Sequence, residues 1–188
     1  MRSVGEQVER LVELGIVPEG TPAPSGEGLV VIHPDLVPPS QLAGHLRLGD
    51  QAGFVVVDLD DLDQFVPIEN VAVPDSPLYA VTDPQRGDEM ANWSPDEALS
   101  AIGDAGRSPM TVSEGISWLL QEPERLQRNH CFMTIGSRRP GDRRTPAIWV
   151  SNGTGRDGRE RRGAPKVGWC WSGNRHTWLG FASVAGRG

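Results

Sequence analysis

Residues 3–14 carry apolar side chains at helical spacing. Within this stretch the apolar side chains recur every three or four positions, at Val4, Val8, Leu11 and Val12. This spacing predicts an amphipathic helix that ends at Gly15, because glycine readily takes the left-handed conformation found at helix C-termini. The Pro- and Gly-rich residues 18–28 cannot continue a regular element, so we expect a linker there.

Two more helices are indicated by capping residues. Ser94 stands three residues before Glu97, and Thr111 three residues before Glu114. In this spacing the hydroxyl accepts from the amide of the glutamate, and the carboxylate reaches back to the amide of the cap. We expect the first of these helices to end near residue 102 and the second to end before Pro123.

Short apolar runs predict β-strands on both sides of these helices. Three such runs precede the helices, at 29–32, 53–57 and 78–82, and four follow them, at 131–135, 147–151, 167–171 and 177–182. The last four predict an antiparallel β-meander. We therefore expect a single α+β domain over residues 1–188. Its parts are an N-terminal helix and linker (1–28), an acidic α/β portion (29–128) and an Arg- and Trp-rich β portion (129–188).

One ten-residue segment, 169–178, holds three of the six tryptophans, one of the two cysteines and one of the four histidines. It includes the dipeptide Gly173-Asn174, which can take the positive φ values of a tight turn, between two strand-like runs. A β-hairpin closed at this turn places four side chains on one face. The pairs are Trp171 opposite His176 and Trp169 opposite Trp178.

This Trp/His face can be a core wall or a ligand platform. Tryptophans on strands usually cover a core, since each buries a large apolar area. Exposed rings beside an imidazole instead offer a flat surface for an aromatic, sugar or cationic ligand. Asn174 and Arg175 at the turn would add donors for a carboxylate or phosphate. His176 is the candidate general acid or base, and the fold would have to supply its carboxylate partner, such as Asp58, Asp60 or Asp142.

The charges of the chain are divided between its two halves. Residues 1–100 carry 18 acids and 4 arginines, whereas residues 101–188 carry 7 acids and 14 basic residues. The halves are expected to attract each other. The overall net charge of −7 argues against nucleic-acid binding, and no recognised nucleic-acid motif accompanies the arginines. The paired arginines can clamp an anion or dock onto the acidic half.

The length and the cysteine usage limit the class of protein. A chain of 188 residues suits one core, and it contains neither an apolar run of membrane-spanning length nor a signal-peptide core. A cytoplasmic location is therefore expected, with Cys131 and Cys170 as free thiols.

No metal or cofactor site is predicted. Cys131 and Cys170 with His130 and His176 could supply four zinc ligands, but adjacent His130 and Cys131 would point to opposite faces of a strand. The acidic residues 58–63 lack the spacing of a calcium loop, and the Gly-rich residues 151–158 lack the lysine of a phosphate loop. An acidic turn and a mobile loop are the simpler interpretations.

Three segments resemble a family of uncharacterised proteins. These segments are Asn92-Trp93-Ser94-Pro95-Asp96-Glu97-Ala98, Asn129-His130-Cys131-Phe132-Met133, and Trp169-Cys170-Trp171-Ser172-Gly173-Asn174 continuing to Gly180. They are similar to DUF5701, and the resemblance covers mainly the second half of the chain. It implies an actinobacterial source, which agrees with 17 arginines against one lysine. It implies no activity.

The sequence thus favours a protein that binds a small polar or aromatic, anionic molecule. The candidate ligand-binding residues are Trp169, Trp171, Asn174, Arg175 and Trp178. An enzyme of specialised metabolism that uses His176 for proton transfer is the alternative, with Arg175 stabilising negative charge. A third possibility is an interaction module that meets a protein partner through its charged surfaces.

Overall fold

A computed structural model describes residues 1–188 and contains four α-helices. They are Val4–Glu13 (α1), Pro39–Ala43 (α2), Pro95–Asp104 (α3) and Val112–Gln121 (α4). Both predicted capping boxes form, and α1 has a third one in which Ser3 pairs with Glu6. The three longer helices therefore begin where local sequence chemistry places their caps. None of the helices has the length and apolar character needed to cross a bilayer.

Fourteen short strands surround these helices. They are Leu29–Ile32 (β1), Arg47–Leu48 (β2), Gln51–Ala52 (β3), Phe54–Val55 (β4), Val66–Pro67 (β5), Leu78–Thr82 (β6), Ser108–Pro109 (β7), Cys131–Met133 (β8), Ser137–Arg138 (β9), Arg144–Val150 (β10), Pro165–Trp171 (β11), Leu179–Phe181 (β12), Ser183–Val184 (β13) and Gly186–Arg187 (β14). Separate helices and mainly antiparallel strands confirm the α+β class. One continuous core of 38 buried residues reaches from α1 to β13.

The strands form two main sheets. An antiparallel sheet has the order β1-β6-β14, and a five-stranded sheet has the order β12-β8-β10-β11-β4. In the larger sheet β8, β10 and β11 are antiparallel neighbours, as the predicted meander requires. The fourth strand of that meander was wrongly placed, because β12 joins the sheet beside β8 and runs parallel to it.

The predicted tryptophan hairpin does not form. A turn is present, in which the Asn174 amide donates to the Trp171 carbonyl over 3.0 Å. However, all seven residues of β11 pair with β10, from Pro165 opposite Val150 to Trp171 opposite Arg144, while β4 takes the other edge. The long ladder with β10 occupies the edge of β11 that the hairpin needed. As a result, β8 and β10 lie between β11 and β12 in the sheet.

Helix α4 is the centre of the fold, with all ten of its residues buried. On one side its Gly115 lies so close to the larger sheet that a Cβ would sit 2.5 Å from a methyl carbon of Thr134 and 3.1 Å from the Phe132 ring. On another side the Ser117 hydroxyl accepts from the Ile32 amide of β1 over 3.1 Å. Helix α4 therefore joins the two sheets, which explains why all of its residues are buried, the polar ones included.

A buried ion pair ties the N-terminus of α4 to β14. Arg187 donates from Nε to Glu114 Oε1 over 2.6 Å and from Nη2 to Oε2 over 2.9 Å. The Tyr79 hydroxyl and the Thr111 amide donate to the same carboxylate. Burial next to the Glu114 carboxylate raises the pKa of Tyr79 far above its ordinary value, so its hydroxyl remains a donor.

The expected attraction between the two halves of the chain is confirmed. Five ion pairs join a carboxylate of residues 1–100 to an arginine of residues 101–188, and they share four acids. The pairs are Asp83 with Arg107, Asp96 with Arg138, Asp61 with Arg139 and with Arg144, and Glu97 with Arg175. Much of the positive charge of the second half is thus neutralised within the molecule.

Glu114→Gln should lower the free energy of unfolding by about 3–5 kcal/mol, because it leaves the Arg187 guanidinium buried without its carboxylate. Urea denaturation measures this loss. Glu97→Gln is the matched control, since Glu97 occupies the same capping position in α3 but forms its ion pair at the surface, and its loss should be much smaller. Equal losses in the two variants would contradict a special role for the buried pair.

Candidate functional site

The predicted aromatic face is divided into two groups in the structure. Trp169 and Trp171 form one group, with ring centroids 4.6 Å apart and planes at 70°. Trp178 belongs to the other, where it lies 5.2 Å from His176 and 6.1 Å from Trp149. The single platform that the hairpin register implied is therefore absent.

The first group belongs to a network of charges. The Arg144 guanidinium lies 5.9 Å from the Trp169 ring centroid and 5.4 Å from that of Phe65. It donates to Asp61 over 2.6 Å and to Asp142 over 2.6 and 2.9 Å. These hydrogen bonds hold the pKa of both carboxylates below the ordinary range. Two carboxylates thus balance the charge of Arg144, and its Nη1 donates to the Asp58 carbonyl over 2.9 Å, so Arg144 is poorly suited to bind an anionic ligand.

The second group lies on the face of the larger sheet that is turned away from α4. Phe132 and Ile148 approach Gly115 of α4, so their alternating neighbours point to the opposite face. Trp149 is one of these neighbours. Its ring covers Gly168, where a Cβ would come within 2.5 Å of a ring carbon, and glycine is therefore required below it.

A cleft of about 350 Å³ opens beside Trp149. Its lining is mainly apolar and aromatic: Trp149, Val150, Trp169, Trp178, Cys131 and Cys170. Its polar members are Arg128, Asn129 and Asn152, and Arg128 Nη1 donates to Asn152 Oδ1 over 2.8 Å. Clefts with apolar walls and a few placed polar groups are typical of small-molecule sites. We call it the aromatic cleft.

The two predicted polar contacts lie outside the aromatic cleft. Asn174 is exposed at the turn. Arg175 donates to the Asn92 carbonyl over 3.0 Å and to Glu97 over 2.5 Å, so it fastens the turn to the start of α3. Of the five predicted ligand-binding residues, the cleft therefore includes only Trp169 and Trp178.

His176 contacts the ring of Trp178 but does not line the aromatic cleft. Its Nε2 is buried and has no hydrogen-bond partner in the protein. Burial lowers the pKa of His176 below its ordinary value, so the imidazole is mainly uncharged at neutral pH. No carboxylate approaches it as an ion-pair partner, and the proposed proton transfer has no support from the local geometry.

Both cysteines line the aromatic cleft as free thiols. Burial raises the pKa of Cys131, and it raises the pKa of Cys170 to about 11. A protonated thiol is a poor nucleophile and a poor metal ligand. The structure also assembles no group of three His, Cys, Asp or Glu side chains that could hold a metal ion.

Seven of the nine residues that line the aromatic cleft were not predicted from the sequence to bind a ligand, among them Trp149, Arg128 and Asn152. Trp149 lies in a predicted strand, but nothing local showed that Trp178, in the turn before β12, would approach it. Arg128 and Asn152 belong to segments that read as ordinary loops. The sequence signal for Trp149 is its position in the predicted strand 147–151, where strand alternation places it on the same face as Ala147.

Comparisons with known proteins give one match. The family model of DUF5701, a family of unknown function, matches residues 3–188. No curated protein and no solved structure matches the chain. The match spans every element described above and supplies no activity, so the chemistry must be argued from the cavities themselves.

The reactivity of Cys170 tests its environment. Because alkylation by iodoacetamide requires the thiolate, the rate at Cys170 should rise about tenfold per pH unit from about pH 7 to about pH 10. A free thiol with a pKa of about 8.5 levels off within this range. Mass spectrometry of the Cys131→Ser variant isolates the rate at Cys170. A plateau near pH 8.5 would contradict the buried, protonated thiol.

Proposed function

The chain belongs to DUF5701, a family of unknown function, and we propose that it binds a small planar aromatic anion in the aromatic cleft. The observation that carries the proposal is the crossing of Trp149 and Trp178 at 71° beside an open volume of about 350 Å³. Two rings at this angle supply apolar walls in two directions, which suits a flat ligand better than a flexible chain.

Trp149 is held rigidly enough to serve as a wall. Gly168 supports one side of its ring, and Lys166 Nζ lies 5.0 Å from its centroid. Asp157 accepts from the same ammonium over 2.7 Å and so keeps it in place. A side chain that is already ordered loses little conformational entropy when a ligand binds.

The negative charge of the ligand is inferred from Arg128. This arginine makes no ion pair in the structure, in contrast to Arg144. Its one side-chain hydrogen bond goes to Oδ1, the side-chain amide oxygen of Asn152. The rest of its guanidinium fork and the amide of Asn152 remain available as donors. An arginine fork matches a carboxylate in both geometry and charge.

Binding is better supported than catalysis. The thiols of the aromatic cleft are protonated at neutral pH, and His176 does not line it. An enzyme that uses His176 therefore needs a substrate outside this cleft. The interaction module is also less well supported, because many of the charges that it would present to a partner form ion pairs within the molecule.

Calorimetric titration with 2-naphthoate tests the proposal, with the uncharged 2-naphthamide as the matched ligand. We expect the carboxylate to bind more tightly. Arg128→Gln should weaken 2-naphthoate about tenfold or more and leave the amide nearly unchanged, since a hydrogen bond to a charged group is worth ~1.5–3 kcal/mol. Arg159→Gln, in an exposed loop away from the cleft lining, is the control.

Trp178→Leu should weaken both ligands because it removes one aromatic wall. Benzoate and indole-3-carboxylate extend the titration to smaller and differently shaped rings. If none of these carboxylates binds at millimolar concentration, or if Arg128→Gln affects charged and uncharged ligands equally, the proposed function is wrong.

A further inference from the structure

A second cavity lies at the N-terminus of α4 and shares no lining residue with the aromatic cleft. It measures about 270 Å³ and is lined by residues from six segments of the chain. Its walls are apolar, with Phe65, Val66, Val73 and four prolines at 34, 38, 39 and 67. We call it the α4 chamber.

Ser113 supplies unused donors to the α4 chamber. It is the second residue of the ten-residue helix and is only 3% exposed. Neither its backbone amide nor its hydroxyl makes a hydrogen bond within the protein, although Thr111, Val112 and Glu114 beside it all have partners for their amides. The Ser113 hydroxyl therefore faces the chamber without a partner in the protein, where it can donate to an acceptor group of a ligand.

His33 adds a second donor to the chamber. The Asp35 amide donates to His33 Nδ1 over 3.2 Å, and the Asp35 carboxylate lies 3.7 Å from the same nitrogen. On the neutral ring of this tautomer the proton sits on Nε2, whereas the side-chain hydrogen bond of His33 within the protein is made at Nδ1. In this tautomer the Nε2–H of His33 can donate a hydrogen bond to a ligand. A general base for the Ser113 hydroxyl would instead need an unprotonated Nε2.

The buried end and the exposed rim of the α4 chamber carry different charged and polar groups. Glu114 lies next to the buried end, but Arg187, Tyr79 and the Thr111 amide satisfy its carboxylate. Asp35 and Asp63 also line the chamber, and both are exposed. Asp63 accepts from the Ser40 amide and hydroxyl. The buried end therefore offers donors, and the rim offers negative charge.

We propose that the α4 chamber binds a small amino acid with an apolar side chain. The carboxylate of the ligand accepts from Ser113 and His33 near the N-terminus of α4, where the helix dipole favours negative charge. Its ammonium group faces Asp35 and Asp63 at the rim. Its side chain packs against Phe65, Val73 and the prolines. A ligand with only a negative charge would lack the contact of the ammonium group, and the carboxylates of Asp35 and Asp63 at the rim would repel it.

Three probes of the same carbon skeleton separate these contacts. L-Leucine carries both charges, 4-methylpentanoate lacks the ammonium group, and 3-methylbutylamine lacks the carboxylate. In calorimetric titrations of the full chain we expect L-leucine to bind at least tenfold more tightly than either single-charge probe. Equal binding of 4-methylpentanoate and L-leucine would overturn the role of the rim, and no binding of L-leucine, L-valine or L-phenylalanine at millimolar concentration would overturn the proposal.

Ser113→Ala distinguishes a binding role from a structural one. Because the Ser113 hydroxyl has no partner in the protein, this variant should keep or raise the melting temperature of the ligand-free chain while its affinity for L-leucine falls about tenfold. Ser117→Ala is the control on the same helix. It removes the hydrogen bond to the Ile32 amide outside the chamber, so it should lower the melting temperature and keep the affinity.

His33→Gln and His33→Phe complete the test. The glutamine amide can replace the donor at Nε2, so His33→Gln should retain most of the affinity that His33→Phe loses. Unchanged affinity in both Ser113→Ala and His33→Phe would place L-leucine elsewhere and refute the site. None of these changes touches the aromatic cleft, so binding of 2-naphthoate should persist in all of them, and the two proposals can fail separately.

Discussion

The buried pair of Glu114 and Arg187 is the interaction on which the rest of the fold depends. Glu114 closes the capping box that starts α4, and the same carboxylate fastens β14 and the Tyr79 hydroxyl of β6. Removal of two charges from water is costly, so the arrangement is stable only because nearly every donor and acceptor is satisfied, including the Arg187 contacts to Ser108 and the Pro109 carbonyl. One helix end thus fastens two strands of the three-stranded sheet.

Electrostatics explains why the two halves of this chain fold together and which arginines stay available. Arginines of the second half mostly form ion pairs where they lie near acidic segments. Arg139 and Arg144, for example, both pair with Asp61. Such residues hold the structure together and cannot also clamp an anion. Arg128 is different, because its side chain is bonded to an amide oxygen instead of a carboxylate. The position of Arg128 beside the aromatic cleft, without an ion pair, is therefore more informative than the number of arginines.

The two cavities differ in what their unsatisfied groups can bind. The aromatic cleft is wide and is bordered by tryptophan rings and one free arginine, which suits a flat anion. The α4 chamber is smaller, with donors from Ser113 and His33 at its buried end and carboxylates at its rim, which suits a ligand with both charges. In each case the inference comes from groups that the protein leaves unpaired, since paired groups are already explained by the fold.

Local signals in the sequence were sufficient for the helices, for most of the strands and for the α+β class. The capping boxes at Ser94 and Thr111 involve residues three positions apart, and strand alternation involves residues two apart, so neither depends on the rest of the chain. The pairing of strands is different in kind. Gly173-Asn174 forms a turn as its local chemistry requires, yet the strands that flank it separate, because β11 gains a seven-residue ladder with β10. Only the tertiary structure decides which distant residues meet, and it therefore decided that Trp149, not Trp171, shares a cleft with Trp178.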